Sequence, residues 1–165
     1  MTELRVVNVI CTGNICRSPM GKALLEKSLA ELGVVDVDVR SSGTHATTGS
    51  PAMRAAVEAA ERRGARVGDH RATFLDRAVI MDAHLLLCAT QDHRDHILLG
   101  WPDVDPRRVR LFNEALDLDD QDVADPYGWD DGVYELASKV IASAMAAWAQ
   151  RLADGTELDD IEFSD

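Results

Sequence analysis

The sequence predicts an α/β fold, a parallel sheet flanked by helices on both faces, with a ligand-binding loop after the first strand. Three observations carry this. Residues 4–10 and 85–89 are short, largely apolar runs, as in strands buried on both faces of a parallel sheet. Segments with helical spacing separate such runs, the alternation that βαβ units require. Where the first run ends, at Cys11, small turn-tolerant residues lead into Ser18-Pro19, and sheets of this kind bind ligands just outside the C-terminal ends of their strands.

Each element follows in order. After the strand over 4–10, Ser18 suits an N-cap and Pro19 the first helical position. The helix over about 19–32 turns Met20, Leu24, Leu25, Leu29 and Leu32 toward a core, and Gly33 ends it. From Val35 to Ser41, Val35, Val37 and Val39 alternate with polar residues, a second strand. Ser42–Ser50 is a polar loop, and Ser50-Pro51 repeats the cap-plus-proline start of a helix running to Gly64. Its inner face is alanine: Ala52, Ala55, Ala56, Ala59 and Ala60. An irregular stretch from Asp69 leads to a short helical turn over 76–82. Leu85–Ala89 is the third strand, and Asp92 caps a helix ending near Leu99. Gly100–Asp103 is a turn cluster, and Val109–Phe112 a weaker fourth strand. Residues 117–131 are acidic. The last helix, over about 132–153, carries the stripe Val133, Leu136, Val140, Ile141, Met145, Trp148, Leu152. One domain over 1–153 and an acidic, mobile tail over 154–165 are expected.

Composition narrows the function. With 165 residues the chain can bury a real core. Its 29 acidic against 17 basic side chains give a net charge of −12, which argues against nucleic acid or an anionic membrane as partner. No apolar run approaches a membrane span, and the N-terminus lacks a signal peptide's layout. Three cysteines, an odd number, fit a reducing cytoplasm better than a disulfide framework. Neither they nor the five histidines show zinc-ligand spacing, so neither metal nor cofactor is expected.

The chemistry concentrates after the first strand, in a phosphate-binding loop. Strand, loop and helix N-terminus together let Thr12, Gly13, Asn14, Ile15 and Cys16 turn backbone N–H groups inward as an anion nest, with the helix dipole behind. A thiol at Cys11 is there favoured as thiolate, and Arg17 offers a planar fork to two oxygens of a phosphate-like dianion. Cys-x5-Arg by itself is a weak signal; the strand before it and Ser-Pro after it sharpen it. The bland alternative makes Cys11 a buried packing thiol.

Cys11-Thr12-Gly13-Asn14-Ile15-Cys16-Arg17-Ser18-Pro19 resembles the active-site loop of the bacterial low-molecular-weight protein tyrosine phosphatases. That family's fold is a four-stranded parallel sheet flanked by helices, and its reaction runs through a phosphocysteine. Expelling an alkoxide or phenolate needs a proton donor opposite the thiolate. By charge pattern Asp125 is one of seven acids in a solvated loop. The resemblance selects it, since the family carries its general acid in an Asp-Pro motif at this distance, here Asp125-Pro126. Cys11 is then nucleophile, Arg17 phosphate clamp and Asp125 general acid and base.

By the same resemblance Ser18 donates a hydroxyl to the thiolate, and Ser42 and His70 support Asn14. His70 by itself reads as an ordinary surface residue. Cys16 matches a neighbour able to form a protective disulfide with Cys11, and packing explains it equally well. Tyr127 and Trp129 match aromatics lining the substrate cleft; the opposite wall has Thr47-Thr48 where many members carry an aromatic, with His45 the nearest ring. Implied partners are a tyrosine-phosphorylated protein and a cognate tyrosine kinase, with the chain a monomer or weak dimer. Arginine phosphatases of the family have threonine where this chain has Ile15, whose apolar surface suits a phenyl ring instead. Related arsenate reductases relay through a second cysteine pair; Cys88 has no such partner and reads as core. The alternative from another class is a non-catalytic phosphate-binding or redox-sensing module; a binder would need neither the thiol nor the acid.

Overall fold

The computed structural model describes residues 3–116 and 118–155. The expected tail, from 156 onward, and Asp117 of the acidic stretch lie outside the described residues. Four strands form one parallel sheet: β1 (Arg5–Cys11), β2 (Val37–Gly43), β3 (Leu85–Cys88) and β4 (Val109–Leu111), in the spatial order β2-β1-β3-β4. Between them run α1 (Arg17–Glu31), α2 (Arg54–Arg62), α3 (Arg77–Asp82) and α4 (Gln91–Gly100), and α5 (Asp131–Asp154) follows. Two 3-10 turns, Pro106–Arg108 and Phe112–Ala115, bracket β4.

Strand β1 explains the two layers. Its successive side chains alternate between faces: Val7, Val9 and Cys11 enter the core built with α1, α2 and α5, while Val6 and Ile10 enter the core built with α3 and α4. Both faces are dry, so the run reads as apolar throughout rather than alternating. On the first face Met20, Leu24, Leu25 and Leu29 of α1 meet Ile141, Met145, Trp148 and Leu152 of α5. Trp148 is fully buried, and its indole N–H donates to Phe112 O at 2.8 Å, so its polar atom is satisfied. Each such side chain contributes about 1.5–3 kcal/mol by leaving water.

Several expected details shift. Leu32 is exposed because α1 stops at Glu31, with Gly33 just beyond at φ 71°. Val35 is also exposed, since β2 begins at Val37. Helix α2 begins at Arg54, not after Ser50: Pro51 is held in an antiparallel bridge with Arg71, and Ser50 O accepts from Ala72 N–H at 2.8 Å. Thr90, not Asp92, caps α4, paired with His93 in a capping box. In α5 the buried face is carried by Tyr134, Ala137, Ala144 and Ala149 besides the apolar stripe, and Leu136 faces outward. Leu136 lines a surface cavity there with Val123, Val133 and Val140.

Candidate active site

The loop Cys11–Arg17 joins β1 to α1 at the C-terminal edge of the sheet, beside the ends of β2 and β3. Backbone bonds hold it there: Thr44 N–H donates to Cys11 O at 3.0 Å, His45 N–H to Thr12 O at 2.9 Å, and Met53 N–H to Ile15 O at 2.9 Å. The crossing by β2 is tight at Gly43. A Cβ there would stand 2.5 Å from Thr12 O and 2.8 Å from Asn14 N, so no larger residue fits.

Asn14 is the keystone of the loop. It adopts φ 56°, a left-handed conformation that asparagine tolerates. Its side chain is buried and makes three hydrogen bonds: Nδ2 donates to Ser18 Oγ at 2.7 Å and Ser41 Oγ at 3.0 Å, while Oδ1 accepts from Thr73 N–H at 2.8 Å. His70 donates from Nε2 to Asn14 O at 2.6 Å, and burial holds its pKa below the usual histidine range. Ser42 is not a partner of Asn14. Successive β2 side chains point to opposite faces, so Ser41 reaches the loop and Ser42 donates to Asn8 Oδ1 at 2.8 Å.

Ser18 does not cap α1. The helix begins two residues earlier than expected, at Arg17 with Cys16 as N-cap, and the Ser18 hydroxyl is drawn toward the loop instead. Its oxygen accepts from Asn14 Nδ2, an atom that only donates, and stands 3.0 Å from Cys11 Sγ. Ser18 therefore has its own proton available for the sulfur.

Arg17 is buried, an uncommon place for a guanidinium. Nη1 donates to Val123 O at 2.9 Å; Nη2 lies 3.3 Å from Thr12 Oγ1 and 3.4 Å from Asp125 Oδ2. Its Nε is a buried donor with no hydrogen-bond partner among the described residues. Val123 N–H in turn donates to Ala89 O at 2.9 Å, which anchors the acidic segment to the end of β3. Asp125 is half-exposed and closes a turn, accepting from Tyr127 N–H at 3.1 Å.

A cavity of about 210 Å³ opens between these groups, lined by Cys11, Thr12, Gly13, Ile15, Cys16, Arg17, Asp125 and Tyr127. Trp129 is not in that lining. Beyond Gly128 the chain turns back, Trp129 N–H donating to Pro126 O at 3.0 Å, and the indole stands in solvent. His45 lines a neighbouring cavity with His93 and His96 instead. Cys16 is buried with its Sγ 3.4 Å from Tyr134 Oη, and burial pushes its pKa up to about 11. Cys11, Cys16 and Cys88 are all free thiols. No group of described residues gathers enough ligands for a metal ion, and no described helix is long and apolar enough to cross a membrane.

Sequence reasoning missed four contributors: Ser41, Val123, Tyr134 and His93. Val123 acts through its backbone and left no side-chain signal. His93 was accessible in principle, because it follows the end of β3, where the strand-end rule puts ligands.

A buried arginine, a thiol and an acid lining one cavity, on a parallel sheet, define a hydrolase of the thiol-dependent phosphatase class. The chain belongs to the low molecular weight phosphotyrosine protein phosphatase family, whose model matches residues 6–158. It is 32% identical over 149 residues to a probable low molecular weight protein-tyrosine-phosphatase, EpsP, of Ralstonia nicotianae, covering 90% of this chain and 97% of that one. It is also 32% identical over 143 residues to a protein-arginine-phosphatase of Geobacillus stearothermophilus, covering 87% and 93%. Among solved structures, the tyrosine phosphatase Wzb of Escherichia coli K30 in complex with sulphate superposes with a TM-score of 0.81 at 30% identity, covering 90% of this chain and 99% of that one.

Proposed function

We propose that this enzyme hydrolyses phosphotyrosine in proteins through a phosphocysteine intermediate, in the cytoplasm, with a tyrosine kinase as its counterpart. The observation that carries the reading is the single cavity lined by Cys11, Arg17 and Asp125 together with Ile15 and Tyr127. Cys11 attacks phosphorus as the thiolate, steadied by the Ser18 hydroxyl. Arg17 holds the equatorial oxygens with its unpartnered Nε and with Nη2. As the P–O bond to the leaving group breaks, the Asp125 carboxyl gives its proton to the phenolate oxygen. In the second half, Asp125 as carboxylate takes a proton from water, the water oxygen attacks phosphorus, and the S–P bond breaks to return the thiolate.

Ile15 and Tyr127 give the cavity an apolar wall and an aromatic one, which suit a phenyl ring better than a guanidinium. Free cysteines suit a reducing compartment. Wild type should hydrolyse p-nitrophenyl phosphate and Cys11→Ser should not. Asp125→Asn should cut turnover by about 10²–10⁴-fold while Cys11 still alkylates; an unchanged rate overturns its role. Phosphotyrosine, phosphoserine and phosphoarginine peptides compared side by side decide the substrate class, and a phosphoarginine preference would overturn the tyrosine reading.

A further inference from the structure

His93 is buried and both of its ring nitrogens are engaged. Thr90 N–H points at Nδ1 from 3.2 Å, and the Thr90 hydroxyl, which accepts from His93 N–H, stands 3.1 Å from the same atom. A backbone N–H only donates, so Nδ1 accepts and the neutral ring carries its proton on Nε2. Nε2 lies 2.8 Å from Thr12 Oγ1 and therefore donates to it. Arg17 Nη2, also purely a donor, reaches the same oxygen at 3.3 Å. A hydroxyl oxygen has two lone pairs, and both are now taken. The Thr12 proton must point in a third direction, and among the described residues no acceptor meets it. Thr12 lines the cavity beside Cys11 and, with Arg17, also the neighbouring one that holds His93.

We propose that His93 is a positioning residue that turns the Thr12 hydroxyl into a donor to an oxygen of the phosphoryl group bound in the Cys11 cavity. The donor chain runs one way, from Thr90 N–H to Nδ1, then from Nε2–H to Thr12 Oγ1, then from the Thr12 O–H to phosphate. Burial, and after it the charge of Arg17, hold the His93 pKa down to about 4, so the ring is neutral at neutral pH, and the Thr90 N–H sets its tautomer. Thr12 thus adds a second side-chain donor to the phosphoryl group beside Arg17. It stands on the Arg17 Nη2 side of the cavity, where Asp125 also sits. The inference rests on the phosphatase reading.

Kinetics with p-nitrophenyl phosphate, inhibition by inorganic phosphate and a double-mutant cycle test it. Thr12→Val is nearly isosteric and should lower kcat/KM and weaken phosphate inhibition about tenfold, the worth of one hydrogen bond to a charged group, and Thr12→Ser should restore most of both. His93→Leu should cost a similar factor in wild type but under about twofold in the Thr12→Val background, because its effect passes through Thr12. His93→Gln, which keeps an N–H near the Nε2 position, should recover part of the loss. Factors for Thr12→Val and His93→Leu that simply multiply would overturn the positioning role, and a Thr12→Val enzyme within twofold of wild type would overturn the donor. Should His93→Leu fail to fold, as thermal melting would reveal, the Thr12 pair and His93→Gln still decide. Absence of Cys11-dependent turnover would sink the phosphatase reading alone; calorimetric phosphate binding by wild type and Thr12→Val then tests the donor without catalysis.

Discussion

Acid should destabilise this protein partly through His93. The residue is 5% exposed, and burial first, then Arg17, depress its pKa from 6.5 to about 4. Between those values the unfolded chain binds a proton that the folded one refuses. The neutral ring therefore contributes its stability in full above pH 6.5, and this is lost as pH falls toward 4. At pH 5 the unfolded imidazole is nearly all protonated and the folded one about a tenth, which corresponds to a loss of about 2 kcal/mol relative to pH 8. At pH 4 the loss reaches about 3 kcal/mol, a sizeable share of the 5–15 kcal/mol typical of a domain. Urea unfolding of wild type and His93→Gln at pH 8 and pH 5 isolates the effect. Glutamine does not titrate, and the carboxylates and remaining histidines cancel in the difference between the two proteins. The stability gap should move by about 2 kcal/mol in favour of His93→Gln on going to pH 5. A gap that stays constant would refute the account of a neutral, buried His93.

Gly43→Ala should lower stability by about 1–3 kcal/mol and weaken phosphate inhibition, because the new Cβ meets the backbone of Thr12 and Asn14, which cannot swing aside; an unchanged melting temperature would contradict this. Asn14→Ala should cost about 2–4 kcal/mol in urea unfolding, from lost bonds to Ser18, Ser41 and Thr73 and the strain of alanine at φ 56°. Asn14→Gly should recover only the backbone share of that cost. Iodoacetamide at neutral pH should label Cys11 and spare Cys16, whose pKa of about 11 keeps it a thiol; mass spectrometry showing equal labelling would count against that environment.

The positions of these residues also bear on specificity. Relatives of similar identity include a tyrosine phosphatase and an arginine phosphatase, so overall likeness does not choose between them. The choice rests on what lines the cavity, where Ile15 contributes carbon and no hydroxyl. Among the described residues that line the cavity, the aromatic one is Tyr127, and Trp129 stands apart in solvent.

The sequence by itself determined the strand order along the chain, the two-faced burial of the sheet and the loop that carries Cys11 and Arg17. Those are local properties: apolar periodicity, turn-tolerant residues and a cysteine-to-arginine spacing survive in one dimension. Tertiary structure decided what depends on residues far apart in the chain meeting at one place. Ser41 rather than Ser42 supports Asn14 because the pleat of β2 turns only one of them toward the loop. Ser18 serves the thiol rather than the helix end because Asn14, itself held by Thr73 at 59 residues' distance, aims at its oxygen. His93 enters the site because β3 ends beside β1, which brings its ring to Thr12 across 81 residues of sequence. No periodicity records such pairings. They follow from register and packing, which exist only once the chain has closed on itself.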